Sequence, residues 1–590
     1  MKTLMSGNEA IARGAWEAGT KVAAAYPGTP STEILQNVAL YKDIYSEWSA
    51  NEKVALDLAI GAAYAGQRAM AAMKHVGLNV ASESLFYSSY TGLNAGLVII
   101  SADDPGMHSS QNEQDNRHFA RFAKVPMLEP TDSQEAKDYV RLAFDLSEQF
   151  DTPVLIRTTT RTSHAKSAVE LTDRAGVEKR PYVKNPSKYA MIPGFAKMRH
   201  PVVEERMKKL KQWAEESDVN SIEPGDHSIG IIACGAAYQY AREVFPTASF
   251  LKLGMVWPLP EGKIREFASQ VEKVYVVEEL DPFIEENVRQ LGIAVEGKSI
   301  FPILDELSPE RVRQSAVKAG LLPAEANGGA LDVGPLAKRP PVLCAGCGHR
   351  DVFWILRKMK VTVNSDIGCY ALGVMPPLDA TDTIGCMGAS IGVAMGMRIA
   401  GLETSNVAVL GDSTFFHAGL PALADAVYNQ TPVVTIVVDN RTTGMTGHQG
   451  NPGSGRTLHG KGKDIDIAAV ARGMGVNHVV SVDARDLKDV EKIIREAVKL
   501  NEPSVIVIHS ICVFEEHHNR EEYTIIAEDC NGCTLCFRIG CPAISKSEEL
   551  DAKSQRPKAW IEPSLCVGCG LCFDVCAHQA IEPGREKVPA

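Results

Sequence analysis

Eight of the chain's 14 cysteines lie close together near its C-terminal end. They form two runs, and in each run three cysteines are spaced two residues apart before a fourth follows. Thiolates at this spacing can wrap one face of an iron–sulfur cubane, whereas zinc knuckles usually show CxxC pairs instead of triplets. We therefore predict iron–sulfur ligands here. The runs are Cys530, Cys533, Cys536 and Cys541, and Cys566, Cys569, Cys572 and Cys576.

The same spacing occurs in two-cluster bacterial ferredoxins, in which the fourth cysteine of each run binds the other cluster. This chain departs from that pattern twice, because four residues separate Cys536 from Cys541 and Ala577 stands where a proline is usual. We predict two [4Fe–4S] clusters that carry electrons. Cluster 1 is bound by Cys530, Cys533, Cys536 and Cys576, and cluster 2 by Cys566, Cys569, Cys572 and Cys541.

A second set of polar residues follows two apolar runs, 407–410 and 433–438, that we interpret as buried strands. Asp412 comes just after the first run, and Asn440 comes 28 positions later, after the second. This arrangement resembles the thiamine diphosphate motif, in which GDG or GDS is followed by an asparagine. Mg²⁺ takes oxygen ligands and bridges phosphates, and open α/β sheets bind ligands at the carboxyl ends of strands. We predict that Asp412, Asn440 and Thr442 bind Mg²⁺; capping of turns is the alternative.

The neighbours of this predicted magnesium site suit a diphosphate. Gly411 lets the main chain approach the phosphates, and the N–H groups of Ser413 and Thr414 at a helix start can cradle them. Thiamine chemistry also needs a carboxylate that drives the cofactor's aminopyrimidine into its imino form. In the superfamily that this motif resembles, a glutamate from the other half of the paired domains has that role, and the segment that begins at Glu52 resembles the family pattern E-x-x-A-x-x-x-A-I-G-A. A solvated acid in the first turn of a helix is the alternative.

Several domains must position these residues. A chain of 590 residues corresponds to about four domains, and strand-like runs alternate with helical patterns over 1–165 and 342–518, as in doubly wound sheets. The Pro-, Gly- and Ala-rich segment 321–341 is interpreted as a linker. The formal charge of −12 gives no reason to expect nucleic acid or an anionic membrane as a partner. Without a long apolar stretch or a signal peptide pattern, we expect a cytoplasmic protein.

Four further motifs are spread along the chain: YPGTPST at 26–32, KHVGLNV at 74–80, CAGCGHR at 344–350 and TGMTGHQ at 443–449. With the cysteine tail, they resemble the alpha subunits of thiamine diphosphate-dependent 2-oxoacid:ferredoxin oxidoreductases over essentially the whole length. The resemblance implies a multidomain α/β fold with two doubly wound domains. The implied domains are 1–175, which binds the thiamine pyrimidine; 176–335, a connector and a transketolase-C-like domain; 336–518, which binds the diphosphate and Mg²⁺; and 519–590, a two-cluster ferredoxin-like domain.

The resemblance also implies a reaction and partners. It points to the family members that oxidise arylpyruvates (indolepyruvate, phenylpyruvate or hydroxyphenylpyruvate) with CoA to aryl-acyl-CoA and CO₂ and reduce ferredoxin. A separate beta subunit in an alpha2beta2 heterotetramer is expected. Two alternatives remain open: the same chemistry on a branched-chain 2-oxoacid or pyruvate, and a non-oxidative thiamine-dependent decarboxylase.

Individual site residues follow from the same resemblance. Thr29 lies where related proteins present a threonine to the substrate, and Arg117 is placed where an arginine holds the 2-oxoacid carboxylate. For Arg117 a surface salt bridge is the alternative. His75, His349 and His417 are expected to line the cleft as hydrogen-bond donors. A purely structural role is the alternative for each of them. The implied catalytic residues are Glu52, Thr29, His75, Arg117 and His417, and the further cofactor contacts are His349, Met387, Gly388 and Met445.

A third cluster is implied by related enzymes, which bind a proximal [4Fe–4S] cluster through a CxxC pair and two later cysteines. The pair here is Cys344 and Cys347, and Cys369 and Cys512 supply the later positions. A CxxC pair alone is also typical of redox or zinc sites. We therefore expect thiamine diphosphate, Mg²⁺, two tail clusters and a third, proximal cluster.

Overall fold

The structure is a computed structural model that describes residues 2–323, 334, 340–516 and 521–584. The chain divides into two compact units, Met1–Asp332 and Val333–Ala590. Most of the predicted linker 321–341 lies outside the described residues. Within the described ranges, no helix is both long and apolar enough to span a membrane.

The first unit contains a seven-stranded sheet. All neighbouring strands are parallel except for one edge strand, Met255–Trp257, which pairs antiparallel with Met127–Leu128. Its three central strands, Val154–Thr159, Leu97–Asp103 and Ala69–Lys74, are buried on both faces, which is typical of parallel sheets covered by helices. In sheet order the strands are Met255–Trp257, Met127–Leu128, Val154–Thr159, Leu97–Asp103, Ala69–Lys74, Val22–Ala25 and Tyr45–Trp48. The helices are Gly7–Glu17, Thr32–Val38, Glu52–Tyr64, His75–Val80, Ser82–Thr91, Arg117–Ala123, Ser133–Phe150 and Thr160–His164.

A second, five-stranded sheet completes this unit. It is parallel except for the edge strand Asn220–Glu223, and one hydrophobic core runs from it to the helices of the first sheet. Its strands, in sheet order, are Val295–Glu296, Val274–Val277, Asp226–Ala233, Ala248–Leu253 and Asn220–Glu223. Its helices are Gly235–Val244, Glu261–Ser269, Phe283–Gln290 and Pro309–Lys318, after the connecting helices Pro186–Tyr189 and Pro193–Glu216. A two-stranded ribbon pairs Lys2–Ser6 with Lys166–Glu170.

The second unit is built on a six-stranded, fully parallel sheet. Its strands, in sheet order, are Thr383–Ile384, Thr362–Ser365, Asn406–Gly411, Val434–Asp439, Ser504–His509 and His478–Asp483. The α-helices are His349–Met359, Ala389–Ile399, Asp412–Thr414, Leu420–Tyr428, Ile467–Gly473 and Leu487–Ala497. Shorter elements are the 3₁₀ turns Cys369–Val374 and Gly444–Thr446, the π-turn Phe415–Gly419 and the ribbon Arg456–Thr457 with Gly460–Lys461. The predicted α/β class with two doubly wound sheets is confirmed.

The cysteine-rich tail is the smallest part of the second unit. Two antiparallel pairs frame it, Tyr523–Ile525 with Ile581–Pro583 and Ile544–Leu550 with Pro557–Ile561. A 3₁₀ turn at Cys536–Ile539 and a helix at Leu571–Val575 carry part of the cysteine runs. Its small core consists of Ile539, Ile561, Leu571, Cys572 and Ile581.

Candidate active site

Asp412 lies where the strand Asn406–Gly411 ends. Its carboxylate is buried, and Oδ2 accepts a hydrogen bond of 2.9 Å from Nδ2 of Asn451. Burial raises the pKa of Asp412 to about 7, and the negative charge of Asp439, at the end of the neighbouring strand, adds to that rise. A bound cation reverses this cost, because it favours the ionised carboxylate. The position therefore fits a metal ligand.

The neighbouring strand Val434–Asp439 presents the other predicted magnesium ligands. Oδ1 of Asn440 accepts the main-chain N–H of Thr442 at 3.2 Å, and the buried Thr442 hydroxyl accepts from Arg456 at 2.7 Å. The hydroxyl of Thr443 donates to that of Ser413 at 3.1 Å, which joins the two strand-end loops. The structure thus brings the Asp412 and Asn440 loops together at one edge of the sheet.

Sequence reasoning missed Asn451, which holds Asp412 from a distant loop. Oδ1 of Asn451 accepts the N–H groups of Gly453 and Ser454 at 2.9 and 3.1 Å, so the side chain is fixed by its own turn. The sequence NPGS offers a turn signal here but nothing that links it to Asp412. Arg456, which reaches Thr442 and Glu515, was missed for the same reason.

His349 lies at the start of the helix His349–Met359 and is almost fully buried. Neither of its ring nitrogens has a hydrogen-bond partner among the described residues. Burial lowers the pKa of His349 to about 4, so its ring is neutral. Its edge meets Tyr370 at 6.2 Å between ring centroids, and the Tyr370 hydroxyl contacts the Thr414 hydroxyl at 2.9 Å. A buried, neutral imidazole beside the Asp412 loop fits a polar cofactor group.

Glycine at two predicted cofactor positions has a packing reason in this structure. A Cβ on Gly411 would lie 2.8 Å from the ring of Tyr370. Gly388, with φ of +85°, precedes the helix Ala389–Ile399, and a Cβ there would lie 2.7 Å from Ala418. Close packing within the protein is therefore enough to require glycine at both positions, whether or not they also contact a cofactor.

The remaining predicted contacts of the second unit differ in exposure. His417 is buried within the π-turn Phe415–Gly419, an irregularity that is frequent at functional sites. Met387 is half-buried beside Gly388, and Met445 is 48% exposed in the turn Gly444–Thr446. Met445 can therefore contact a cofactor only from an open edge.

Cys344, Cys347, Cys369 and Cys512 come together next to Asn440. The main-chain N–H of Cys512 donates to the Asn440 carbonyl at 3.1 Å, and the Cys347 N–H donates to the Cys344 carbonyl at 3.2 Å. Burial, together with the nearby thiols of the other three cysteines, raises the pKa of Cys369 to about 12. Four mutually repelling thiolates are stabilised when a cationic iron core binds them. The donor set therefore fits a cluster.

The eight tail cysteines line two separate cavities. Cys541, Cys566, Cys569 and Cys572 line the first, and Cys530, Cys533, Cys536 and Cys576 line the second. Main-chain N–H groups point at the sulfur atoms; that of Ala559 lies 3.4 Å from Sγ of Cys530 and that of Ala580 lies 3.3 Å from Sγ of Cys576. Each cavity thus gathers the four cysteines that the ferredoxin spacing assigns to one cluster.

In the first unit, Glu52 begins the helix Glu52–Tyr64, which is capped by Asn51 through a 2.9 Å bond from the Val54 N–H. Its side chain is buried, and a Cβ on Gly77 would lie 2.7 Å from its carboxylate. The glycine of the KHVG sequence therefore leaves space for the Glu52 carboxylate.

Thr29 and His75 lie at the carboxyl ends of neighbouring strands of the same sheet. The Ser109 hydroxyl donates to the Thr29 carbonyl at 3.2 Å, and the ammonium group of Lys74 donates to the Ser109 carbonyl at 2.6 Å. His75 is fully buried, with Nε2 3.3 Å from the Asn112 carbonyl. Burial, with the charge of Lys74, lowers the pKa of His75 to about 4. The loops of Thr29, His75 and Ser109 therefore form one polar cluster.

Arg117 is placed differently from its predicted role. It is fully buried, and its guanidinium donates to both oxygens of Asp115, at 2.5 Å to Oδ2, and to Glu278 at 2.6 Å. The carbonyls of Glu279 and Asp281 take its other N–H bonds. With these donors engaged, this geometry favours the ion-pair alternative, in a buried form and not on the surface. We do not retain Arg117 as the substrate anchor.

Comparisons with known proteins fit this arrangement. Residues 13–221 match the family model "Pyruvate flavodoxin/ferredoxin oxidoreductase, thiamine diP-bdg", 366–508 match "Thiamine pyrophosphate enzyme, C-terminal TPP binding domain", and 559–582 match "4Fe-4S binding domain". Fold, sites and these matches define a thiamine diphosphate-dependent 2-oxoacid:ferredoxin oxidoreductase with an iron–sulfur domain.

Individual relatives narrow this class. The indolepyruvate oxidoreductase subunit IorA of Pyrococcus horikoshii is 42% identical over 99% of this chain and 97% of its own length. That of Archaeoglobus fulgidus is 42% identical over 99% and 98%. The 2-oxoglutarate synthase subunit KorA of Methanothermobacter marburgensis is 26% identical over 46% of this chain and 87% of its own. The chain belongs to the family of IorA alpha subunits.

Proposed function

We propose that this chain is the catalytic alpha subunit of an enzyme that oxidises arylpyruvates with CoA to aryl-acyl-CoA and CO₂ and reduces ferredoxin. The 42% identity to an indolepyruvate oxidoreductase subunit, over nearly the full length of both chains, carries this proposal. The KorA match supports a 2-oxoglutarate substrate less well, because it extends over only 46% of the chain. A separate beta subunit, in an alpha2beta2 assembly, belongs to the same proposal.

Within this function, Asp412, Asn440 and Thr442 hold Mg²⁺, and the N–H groups of Ser413 and Thr414 face the diphosphate. When bound, thiamine diphosphate supplies the carbanion that attacks and decarboxylates the 2-oxoacid. Buried His349, with two unpaired ring nitrogens among the described residues, offers a neutral donor to a phosphate or substrate oxygen. His417, Met387, Gly388 and Met445 complete the cofactor contacts.

In the first unit, Glu52 exchanges a proton with the aminopyrimidine ring of the cofactor. Glu52 is the first residue of the helix Glu52–Tyr64, and its buried carboxylate lies beside Gly77. Thr29 and His75 contact the substrate. Because burial keeps His75 neutral, it acts as a hydrogen-bond donor and not as a charged group.

Twelve cysteines of the second unit would hold three [4Fe–4S] clusters. The proximal one is held by Cys344, Cys347, Cys369 and Cys512, and clusters 1 and 2 are held by the cysteines of the two tail cavities. Bound there, the clusters would supply one-electron transfer from substrate oxidation to an external ferredoxin.

The test is an anaerobic assay of the chain co-produced with its beta partner. Indolepyruvate, phenylpyruvate, 2-oxoisovalerate, pyruvate and 2-oxoglutarate are supplied in turn with CoA and ferredoxin, and both acyl-CoA and reduced ferredoxin are measured. We expect the highest kcat/KM with arylpyruvates. A preference for another 2-oxoacid refutes the substrate assignment. Aldehyde release without ferredoxin reduction supports the non-oxidative decarboxylase instead.

A further inference from the structure

Arg350 lies between the CxxC segment and the tail, and it is 3% exposed. One branch of its guanidinium donates to the carbonyls of Ile539 and Gly540 at 2.9 and 2.6 Å, just before Cys541. The other branch donates to the carbonyls of Leu343 and Cys344, the latter at 3.2 Å. One planar side chain therefore bonds the segment that leads into the CxxC pair and the segment that leads into a tail cluster ligand.

The charge of Arg350 has no carboxylate partner within ion-pair distance among the described residues. Its neighbour Arg485 differs, because Arg485 is paired with Asp351 at 2.5 Å. Burying an unpaired charge is costly unless an opposite charge lies nearby. Cys347, Cys541 and Cys569 line the same cavity as Arg350, and the Cys344 carbonyl accepts one of its hydrogen bonds. The natural compensation is therefore the net negative charge of thiolate-bound clusters.

The CxxC segment also packs against the segment that carries predicted cluster 2 ligands. A Cβ on Gly346, with φ of +73°, would lie 2.2 Å from the side chain of Val567 and 3.6 Å from Cβ of Cys569. Cys347 and Arg350 line the same cavity as the four cluster 2 cysteines. The residues lining the cluster 1 cavity all fall between 525 and 581.

We propose that Arg350 is a positioning residue that joins the proximal site to cluster 2 and biases the electron toward cluster 2. Its fork holds the two segments together, and its positive charge stabilises the additional negative charge of the reduced cluster. One electron leaves the reduced proximal cluster and reduces cluster 2; no bond or proton is transferred. This inference rests on the proposed function only in assuming that both sites hold [4Fe–4S] clusters.

The experiment is an EPR-monitored redox titration of the anaerobically purified, full-length chain, with a chemical reductant and mediators. Arg350→Gln is expected to lower the equilibrium constant for reduction of cluster 2 at least tenfold. For one electron this corresponds to a reduction potential that is lower by about 59 mV. The cluster 2 signal is identified as the one altered by Cys569→Ser. Arg538→Gln is the matched control, because Arg538 lies in the same tail but is exposed.

Arg350→Lys separates charge from geometry, because it keeps the charge but not the fork. We expect it to retain most of the potential and to weaken the spin–spin interaction between the reduced proximal cluster and cluster 2. If Arg350→Gln binds wild-type iron and leaves the potential of cluster 2 unchanged, the proposal is overturned. If Arg350→Gln loses iron, the Arg350→Lys variant is used instead. The proposal is overturned if Arg350→Lys has both the wild-type cluster 2 potential and the wild-type spin–spin interaction. Because no 2-oxoacid is used, failure of the catalytic assay does not affect this result.

Discussion

Asn451 donates a hydrogen bond that favours the ionised form of Asp412. Asn451 is not itself a predicted cofactor ligand, so its substitution should weaken cofactor binding through Asp412. The bond is 2.9 Å long and buried, and burial already raises the pKa of Asp412 to about 7. A hydrogen bond to a charged group contributes about 1.5–3 kcal/mol. Asn451→Ala should therefore weaken Mg²⁺-dependent thiamine diphosphate binding roughly ten- to a hundredfold at pH 7.

The same reasoning predicts how the affinity for thiamine diphosphate and Mg²⁺ changes with pH. The metal must displace the proton of Asp412, so wild-type affinity should fall about tenfold per pH unit below the pKa near 7 and level off above it. Asn451→Ala raises that pKa further, so its affinity should still be rising at pH 8. Calorimetric titration with thiamine diphosphate and Mg²⁺ at several pH values measures both effects.

The control is Asn477→Ala, since exposed Asn477 lies in the same unit and donates a 2.9 Å hydrogen bond to Glu502. It should leave affinity and pH profile unchanged. If Asn451→Ala binds thiamine diphosphate within threefold of the wild-type affinity, and that affinity levels off at the same pH, then the Asn451 hydrogen bond does not favour the ionised form of Asp412.

Three further predictions concern other parts of the chain. Glu52→Gln should fold and bind thiamine diphosphate but lose on the order of 10²–10⁴ in turnover; a near-wild-type rate of ferredoxin reduction would contradict its assignment. Anaerobically purified protein should contain about 12 irons per chain, and Cys369→Ala about 8, whereas buried, solitary Cys234→Ala should keep the full content. Arg117→Met should lower the free energy of unfolding by about 3–5 kcal/mol, measured by urea denaturation, because it leaves buried carboxylates unpaired; a change below 1 kcal/mol would contradict the network.

The parts of the site that sequence could predict are those encoded by short spacing. The two cysteine triplets and the positions of Asp412 and Asn440 after apolar runs follow from local patterns, and the structure gathers each set. Asn451 is 39 residues from the carboxylate that it holds. No local pattern encodes that contact, because it depends on how a later loop folds back over the strand ends.

Arg117 shows the limit of placing a residue by resemblance. The resemblance implies that Arg117 holds a substrate carboxylate, but its ion-pair partner Glu278 lies 161 positions away, just after a strand of the second sheet. The long helix Pro193–Glu216 also departs from local preference, because it contains Pro201. A proline inside a helix is disfavoured locally, so tertiary packing must outweigh that preference. Buried Val203, Arg206 and Leu210 provide such packing.

The buried ion network gives the first unit a means to fix the loops that carry its polar cluster. Arg157, on the strand Val154–Thr159, binds Asp103 at 2.6 Å and Glu129 at 2.7 Å, while Arg117 reaches Glu278 of the second sheet. Buried pairs of this kind add little net stability but penalise any arrangement that separates them. Asp103 also accepts the N–H of Asn116 at 3.1 Å, and the Asn116 side chain donates to the His75 carbonyl at 3.2 Å. Asp115 links the two arginines, because it pairs with Arg117 and lies 3.8 Å from Nη2 of Arg157. Arg117 therefore belongs to the network that is tied to His75, a residue predicted to contact the substrate.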